Sequence, residues 1–294
     1  MPGGELFFYD SAGNADSQGN ATGDQPTILL IHGLGDEADT WRHVFPILAG
    51  AGYRVLAPDL PGFGRSRWKG RISLRRHCAA VLRLMAETGA ASAEKPAVLA
   101  GSSLGAGITE MLAGIRPDLF KAVILIDGCF PFSGSMGKGF YLLGIPFIGK
   151  RWYRGFRNNH EIAWKSLYPY YGNLDAMSDA DREFLRERVI ARVESSNQER
   201  GYLSTLRSMG RFFLFDKKFM TDKIKSYPGK IFILWGENDR IFPKEKAAPF
   251  RSLRTDADFA LISAAGHLPH QEKPDETAAK MLSLLANYKT RLVL

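Results

Sequence analysis

Apolar residues along this chain gather in short unbroken runs, separated by longer stretches with helical spacing. Thr27-Ile28-Leu29-Leu30-Ile31 is one such run, and Arg54-Val55-Leu56-Ala57-Pro58, Ala97-Val98-Leu99-Ala100 and Ala122-Val123-Ile124-Leu125-Ile126 are others. Ile231-Phe232-Ile233-Leu234-Trp235 and Phe259-Ala260-Leu261-Ile262 complete the series. Runs without polar alternation suit strands covered on both faces. Helical segments are predicted over 40–49, 74–88, 104–115 and 274–288. A short strand is predicted over 5–10, followed by a polar loop over 11–25 that is rich in Gly, Asn, Asp and Ser. β-runs alternating with helices predict an α/β fold, with a parallel sheet carrying helices on both faces.

The alternation stops after Asp127. From Phe130 to about Asp222 there is little strand pattern, and helical charge patterning appears around 180–199. This interval reads as a mostly helical insertion, a lid over 130–222, with a core formed by 1–129 and 223–294. The insertion is dense in aromatics. Phe130, Phe132, Phe140 and Trp152 are candidates for a hydrophobic wall over a substrate cleft, while most of the remaining aromatics are expected to form the lid's own core.

Four short passages carry chemistry. In Ala100-Gly101-Ser102-Ser103-Leu104-Gly105 a serine sits in the pattern G-x-S-x-G, between a buried strand and a helix. A nucleophile there projects from a strained corner, and small residues two positions either side let strand and helix approach closely. Ser103 fits that position and Ser102 does not, because only Ser103 has glycine at both −2 and +2. Upstream, Ile31-His32-Gly33-Leu34-Gly35 follows a buried strand. Acyl transfer needs backbone N–H donors aimed at the oxygen that becomes negative. The amides of Leu34 and Leu104 are the candidates for this oxyanion hole. Downstream, Trp235-Gly236-Glu237-Asn238-Asp239 and Gly266-His267-Leu268-Pro269-His270 each follow a strand. Ser103, Asp239 and His267 thus run in the order nucleophile, acid, base. A carboxylate bonded to the second ring nitrogen would hold the histidine in the useful tautomer. Rivals remain: His270 for the base, and Asp127 or Glu237 for the acid. His32, His43, His77 and His160 are read as structural or surface residues.

Composition adds limits. With 45% hydrophobic and 24% charged residues the chain is that of an ordinary globular protein. No run approaches the roughly 18 apolar residues of a membrane span, and Met1-Pro2-Gly3-Gly4-Glu5 does not read as a secretory signal. The two cysteines, Cys78 and Cys129, make no disulfide framework. A cytoplasmic location is the resulting expectation. The net charge of +8 is uneven. Arg65, Arg67, Lys69, Arg71, Arg75, Arg76 and Arg83 form one basic cluster. Lys138, Lys150, Arg151, Arg154, Arg157 and Lys165 form a second, opposed by Glu161. These are read first as solvated faces, with weak contact to a membrane surface as a further option. Nucleic acid is not an expected partner, since no zinc-finger spacing or RNA-recognition motif accompanies the charge. Metal-ligand spacing is lacking. Around Gly134 to Gly139 Phe132 stands where a phosphate loop needs its first glycine. No cofactor is expected, and water is the cosubstrate.

Together with Ala57-Pro58-Asp59-Leu60-Pro61-Gly62-Phe63-Gly64-Arg65-Ser66 and Gln271-Glu272-Lys273-Pro274, these passages resemble the α/β-hydrolase superfamily nearly throughout the chain outside the lid. The resemblance implies an eight-stranded, mostly parallel sheet with a cap inserted between the sixth and seventh strands. It also implies that the passage from Asp59 to Ser66 is a structural loop beside the pocket. Relatives that open epoxides or remove halide carry aspartate at the elbow, where this chain has Ser103. The expected activity is serine hydrolysis of a carboxylic ester of a hydrophobic small molecule or lipid, the commonest task of this constellation. Carbon–carbon bond hydrolysis of vinylogous diketones, or thioester hydrolysis, would use the same triad. A non-catalytic binding protein on this fold is the alternative from another class.

Overall fold

The computed structural model describes residues 4–14, 25–128 and 142–291. Strands β1 (Gly4–Glu5), β2 (Phe8–Asp10), β3 (Thr27–Ile31) and β4 (Arg54–Pro58) come first, with helix α1 (Val44–Gly50) between the last two. β5 (Arg67–Trp68), α2 (Leu74–Thr88), β6 (Ala97–Ser102), α3 (Leu104–Ile115) and β7 (Phe120–Ile126) follow. Five α-helices described in full then follow: α4 (Pro146–Asn158), α5 (His160–Lys165), α6 (Asp179–Glu194), α7 (Ser196–Phe215) and α8 (Lys217–Lys225). β8 (Lys230–Gly236), α9 (Ala248–Leu253), β9 (Asp258–Ile262), α10 (Pro269–Glu272) and α11 (Pro274–Arg291) close the order.

The main sheet has the order β2-β4-β3-β6-β7-β8-β9, and every pairing is parallel except that of β2 with β4. The unbroken apolar runs have a simple cause. In β3, Leu29 and Ile31 join one core with residues of α2 and α3, while Ile28 and Leu30 join a second core with residues of α1 and α11. Successive side chains point to opposite faces, so a strand buried on both sides needs apolar residues at every position.

The structure differs in detail from three expectations. Seven strands of the main sheet lie among the described residues, where the resemblance implies eight. The opening segment splits: Gly4–Glu5 pairs with Arg67–Trp68 in a separate two-stranded ribbon, and Phe8–Asp10 alone joins the sheet edge. The polar residues after Asp10 turn at once into a 3-10 helix, Ser11–Asn14, as their composition favours. The helical segment expected over 40–49 also divides, into a 3-10 turn Ala38–Trp41 and α1. Pro46 has no N–H to bond back to Arg42, so the α-helix begins only just ahead of it.

Between β7 and β8 all described secondary structure is helical. The helices run on to Lys225, past the expected end near Asp222. Met220 and Ile224 of α8 belong to the same core cluster as Leu112 of α3. The sheet changes direction at β3, since β4 lies on one side of it and β6 on the other. A crevice outside the carboxyl ends of the strands is the usual ligand site at such a switch point.

Candidate active site

Ser103 follows β6 and precedes α3 with φ 55° and ψ −113°, a conformation that side-chain-bearing residues rarely adopt. Such a residue costs on the order of 1–3 kcal/mol and persists only where its surroundings impose it. Here the Ser103 amide donates to the Ile126 carbonyl at 2.8 Å, and its carbonyl accepts from Ala106 at 3.0 Å. The flanking glycines are required by space. A Cβ on Gly101 would lie 2.2 Å from the Gly105 carbonyl oxygen, and one on Gly105 would lie 2.2 Å from that of Ile31. Ser102, by contrast, is wholly buried in the strand.

His267 and Asp239 meet after β9 and β8. The Nδ1 of His267 lies 2.8 Å from Oδ2 of Asp239, and Oδ1 of Asp239 accepts from the amides of Ile241 and Phe242 at 2.8 and 2.9 Å. An Nδ1–H donated to the carboxylate leaves Nε2 as the basic nitrogen. That Nε2 is buried and has no hydrogen-bond partner among the described residues. The loop is held from two sides, by His267 N–H donating to the Tyr170 carbonyl at 2.7 Å and Gly266 N–H donating to Glu272 at 2.7 Å.

The rivals lie elsewhere. His270 is 2.8 Å from the Thr40 hydroxyl, and burial pushes its pKa down to about 3. Glu237 lies 3.3 Å from the Ser263 hydroxyl. Asp127 is closer: it follows β7, is fully buried, and accepts from the Gly236 amide at 2.7 Å. Burial and the neighbouring Asp239 carboxylate hold its carboxyl well above the usual carboxylate range. Asp127, Asp239 and His267 bring three donor atoms within 4.8 Å of one another. Both oxygens of Asp239 are already engaged by N–H groups, so the cluster is organised for proton sharing and not for a cation.

The Leu34 and Leu104 amides make no hydrogen bond to a described residue. Leu104 is the first residue of α3, where helix N–H groups lack an internal partner. A Cβ on Gly33 would lie 3.5 Å from Ser103 Cβ, so the loop carrying Leu34 rests against the elbow. His32 fastens that loop: its Nε2 accepts from the Leu60 amide at 2.9 Å while Nδ1 faces the Gly33 carbonyl at 2.8 Å. The passage from Asp59 to Ser66 is structural, with Asp59 accepting from the amides of Ala38 and Arg65 and Ser66 from that of Phe7.

Ser103, Leu34 and His267 open into one cavity of about 260 Å³. Its wall is mostly apolar and aromatic, with Trp152, Tyr153, Phe156, Tyr170 and Tyr202 from the insertion. Of the four aromatics expected to line the cleft, Trp152 does so, and Phe130, Phe132 and Phe140 lie outside the described residues. Sequence reading missed Asp36, Arg192 and Gln271, which also line it. Arg192 of α6 bonds Asp36 at 2.5 Å and Glu37 at 3.1 Å, and both carboxylates hold its pKa up against burial. Gln271 is the nearest of the three in sequence, four residues after His267 in the short helix Pro269–Glu272.

Comparison with known proteins fits this geometry. The sequence shows 34% identity over 140 residues to Epoxide hydrolase B of Mycobacterium tuberculosis (strain ATCC 25618 / H37Rv), covering 47% of this chain. The matched stretch is 36% of that relative's length. Lipase 1 of Psychrobacter immobilis is 25% identical over 262 residues, 88% of this chain and 76% of that protein. In fold, a thermophilic esterase from Thermogutta terrifontis superposes with a TM-score of 0.75 at 20% identity, covering 96% of this chain and 93% of that one. The sequence model described as Alpha/beta hydrolase family matches residues 28–280, from β3 into α11, and on that match the chain belongs to the alpha/beta hydrolase family.

Proposed function

We propose that this hydrolase cleaves a carboxylic ester of an uncharged, hydrophobic small molecule or lipid through an acyl-enzyme on Ser103. One observation carries the reading: a strained serine shares an apolar cavity with the free Nε2 of a histidine whose Nδ1 is held by a buried carboxylate. In this reading His267 Nε2 takes the Ser103 proton as Oγ attacks the ester carbonyl. The Leu34 and Leu104 amides receive the negative oxygen, and the imidazolium, steadied by Asp239, returns the proton to the departing alcohol. Water activated by the same nitrogen then releases the acid. A serine at the elbow speaks against epoxide opening, for which the resemblance implies aspartate.

The cavity bears on the substrate class. Its cation, Arg192, is committed to Asp36 and Glu37, so no described cation is left to hold an anionic substrate end. Its volume of about 260 Å³ lies just below the range of roughly 300–1,000 Å³ common for small-molecule sites, which suits a short or medium acyl group. Carbon–carbon and thioester cleavage would use the same Ser103, His267 and Asp239. The test is hydrolysis of p-nitrophenyl esters of rising chain length. Turnover should peak at short to medium acyl groups and fall by at least about ten-thousandfold in Ser103→Ala. Ester turnover that persists in Ser103→Ala would end the proposal.

A further inference from the structure

The helix that walls the cavity has a second face. Gly149 and Tyr153 of α4 point inward and are buried, and Trp152, Tyr153 and Phe156 line the cavity. On the outer side, Phe147, Lys150, Arg151, Arg154 and Asn158 share one surface depression, the spacing of a single helical face. Phe147 is 86% exposed, and Leu142, Ile145 and Ile148 beside it are also exposed. Lys150, Arg151 and Arg154 have no carboxylate within 4.0 Å among the described residues, and α4 itself contains no acid. The other arginine of α4, Arg157, is spent on Glu199 at 2.9 Å.

We infer that this outer face of α4 docks the protein on an anionic lipid bilayer. The inference does not depend on the proposed chemistry at Ser103. Two features select a bilayer over another anionic partner. Three adjacent unpaired cations match a negative leaflet, and from Phe147 to Arg154 the helix advances only about 10 Å, so all three feel the same surface together. An RNA would also meet the cations but would leave Leu142, Ile145, Phe147 and Ile148 in water, and an acidic protein would need a matching apolar patch beside its carboxylates. The boundary between headgroups and acyl chains satisfies both sets without such a match, as it does for interfacial amphipathic helices. Among the described residues no helix is long and apolar enough to cross a membrane, so attachment would be peripheral. With α4 on the surface, its inner face would hold the cavity wall about one helix diameter, roughly 10 Å, from the lipid.

The experiment is co-sedimentation of the full chain with phosphatidylcholine vesicles, with and without about one third phosphatidylglycerol. The anionic vesicles should bind the protein and the neutral ones should not, and binding should fall at high salt, where the Debye length shrinks to roughly 3 Å. Each cation near such a surface is worth about fivefold in partitioning, so the combined Lys150→Glu, Arg151→Glu, Arg154→Glu variant should lose at least about 100-fold. Phe147→Ser should weaken binding separately. Lys69→Glu with Arg71→Glu, at exposed cations of the other basic cluster, should change it little. Ser103→Ala should bind as the parent does, which keeps failure of docking distinct from failure of the hydrolase reading. Circular dichroism and a denaturant melt report that each α4 variant is folded. Equal binding to neutral vesicles, or equal loss in the Lys69 and Arg71 control, would overturn the inference. So would a dimer in solution that the α4 variant dissolves, or RNA binding through α4 that ignores Phe147→Ser.

Discussion

The carboxyl groups of Asp127 and Asp239 sit together at the buried ends of neighbouring strands, and it is Asp239 that bonds His267. Asp127 adopts φ 47° to reach this place, with Oδ1 on the Gly236 amide and Oδ2 buried without a partner when the group is ionised. Two carboxylates this close cannot both carry charge cheaply, and burial beside Asp239 raises the Asp127 carboxyl's hold on its proton. Its folded pKa is raised above the unfolded value near 3.9, so folding takes up a proton above about pH 4. The stability this group contributes is present below about pH 4 and is lost as pH rises toward the folded pKa. Asp127→Asn, which keeps the acceptor for Gly236 and a donor toward Asp239, should remove that loss. Urea melts between pH 5 and 9 should show parent and variant diverging as pH rises; parallel curves would contradict the assignment.

Arg192 joins the insertion to the loop that carries Leu34. Removing it would strand the buried carboxylates of Asp36 and Glu37. Breaking a buried pair in this way costs about 3–5 kcal/mol. Arg192→Met should lose about that much in a denaturant melt and should lower ester turnover, because Asp36 lies two residues from Leu34. Arg192→Lys keeps the charge without the forked geometry and should fall between. A Met variant as stable and active as the parent would remove the link.

Acid should weaken the fold through two other histidines. His77, 2.8 Å from the Thr205 hydroxyl, and His270 are both buried, with pKa values pushed down to about 3. Unfolded imidazoles take a proton below about pH 6.5 while these refuse it until about pH 3, so the unfolded state gains protons and stability falls as pH drops through that window. Each adds a slope of about 1.4 kcal/mol per pH unit. His77→Gln should make the acid limb shallower by about that amount, measured by melts from pH 4 to 6.5. An unchanged slope would show that His77 does not titrate on unfolding.

Two glycines give a matched pair for stability. A Cβ on Gly105 would strike the backbone oxygens of Ile31 and His32 at 2.2 and 2.8 Å, while one on Gly155 of α4 would meet nothing within 4 Å. Gly105→Ala should destabilise by more than about 3 kcal/mol. Gly155→Ala should stabilise by about 0.5–1 kcal/mol, since glycine in a helix interior is entropically unfavourable. Similar melting temperatures for the two would refute the close approach at the elbow.

How much of this was legible in the sequence follows from the range of the interactions. The helix boundaries of α2 and α3 and the position of Ser103 are local facts, fixed by spacing and by the crowding of Gly101 and Gly105. Asp239 and His267 stood out because each follows an apolar strand, β8 buried and β9 half-buried at the sheet edge. The polar partners were not. Arg192 meets Asp36 from far along the chain, and a surface-like helical charge pattern gives no sign that one arginine turns inward. Asp127 was visible as a rival acid, but only packing shows that it borders the pair while Asp239 holds the bond to His267. In the insertion, aromatic content marked a wall without saying which face of α4 supplies it. Trp152 turns in and Phe147 turns out, five residues apart on one helix.

The central claim is that Ser103 is a nucleophile activated by His267. A fluorophosphonate probe attacks an activated serine and stays bound, so intact mass and peptide mapping read the claim directly. The account predicts one label per chain, on the peptide containing Ser103, with labelling slowed by orders of magnitude in His267→Ala. A fully folded protein that takes no label, or takes it at another serine, would contradict it.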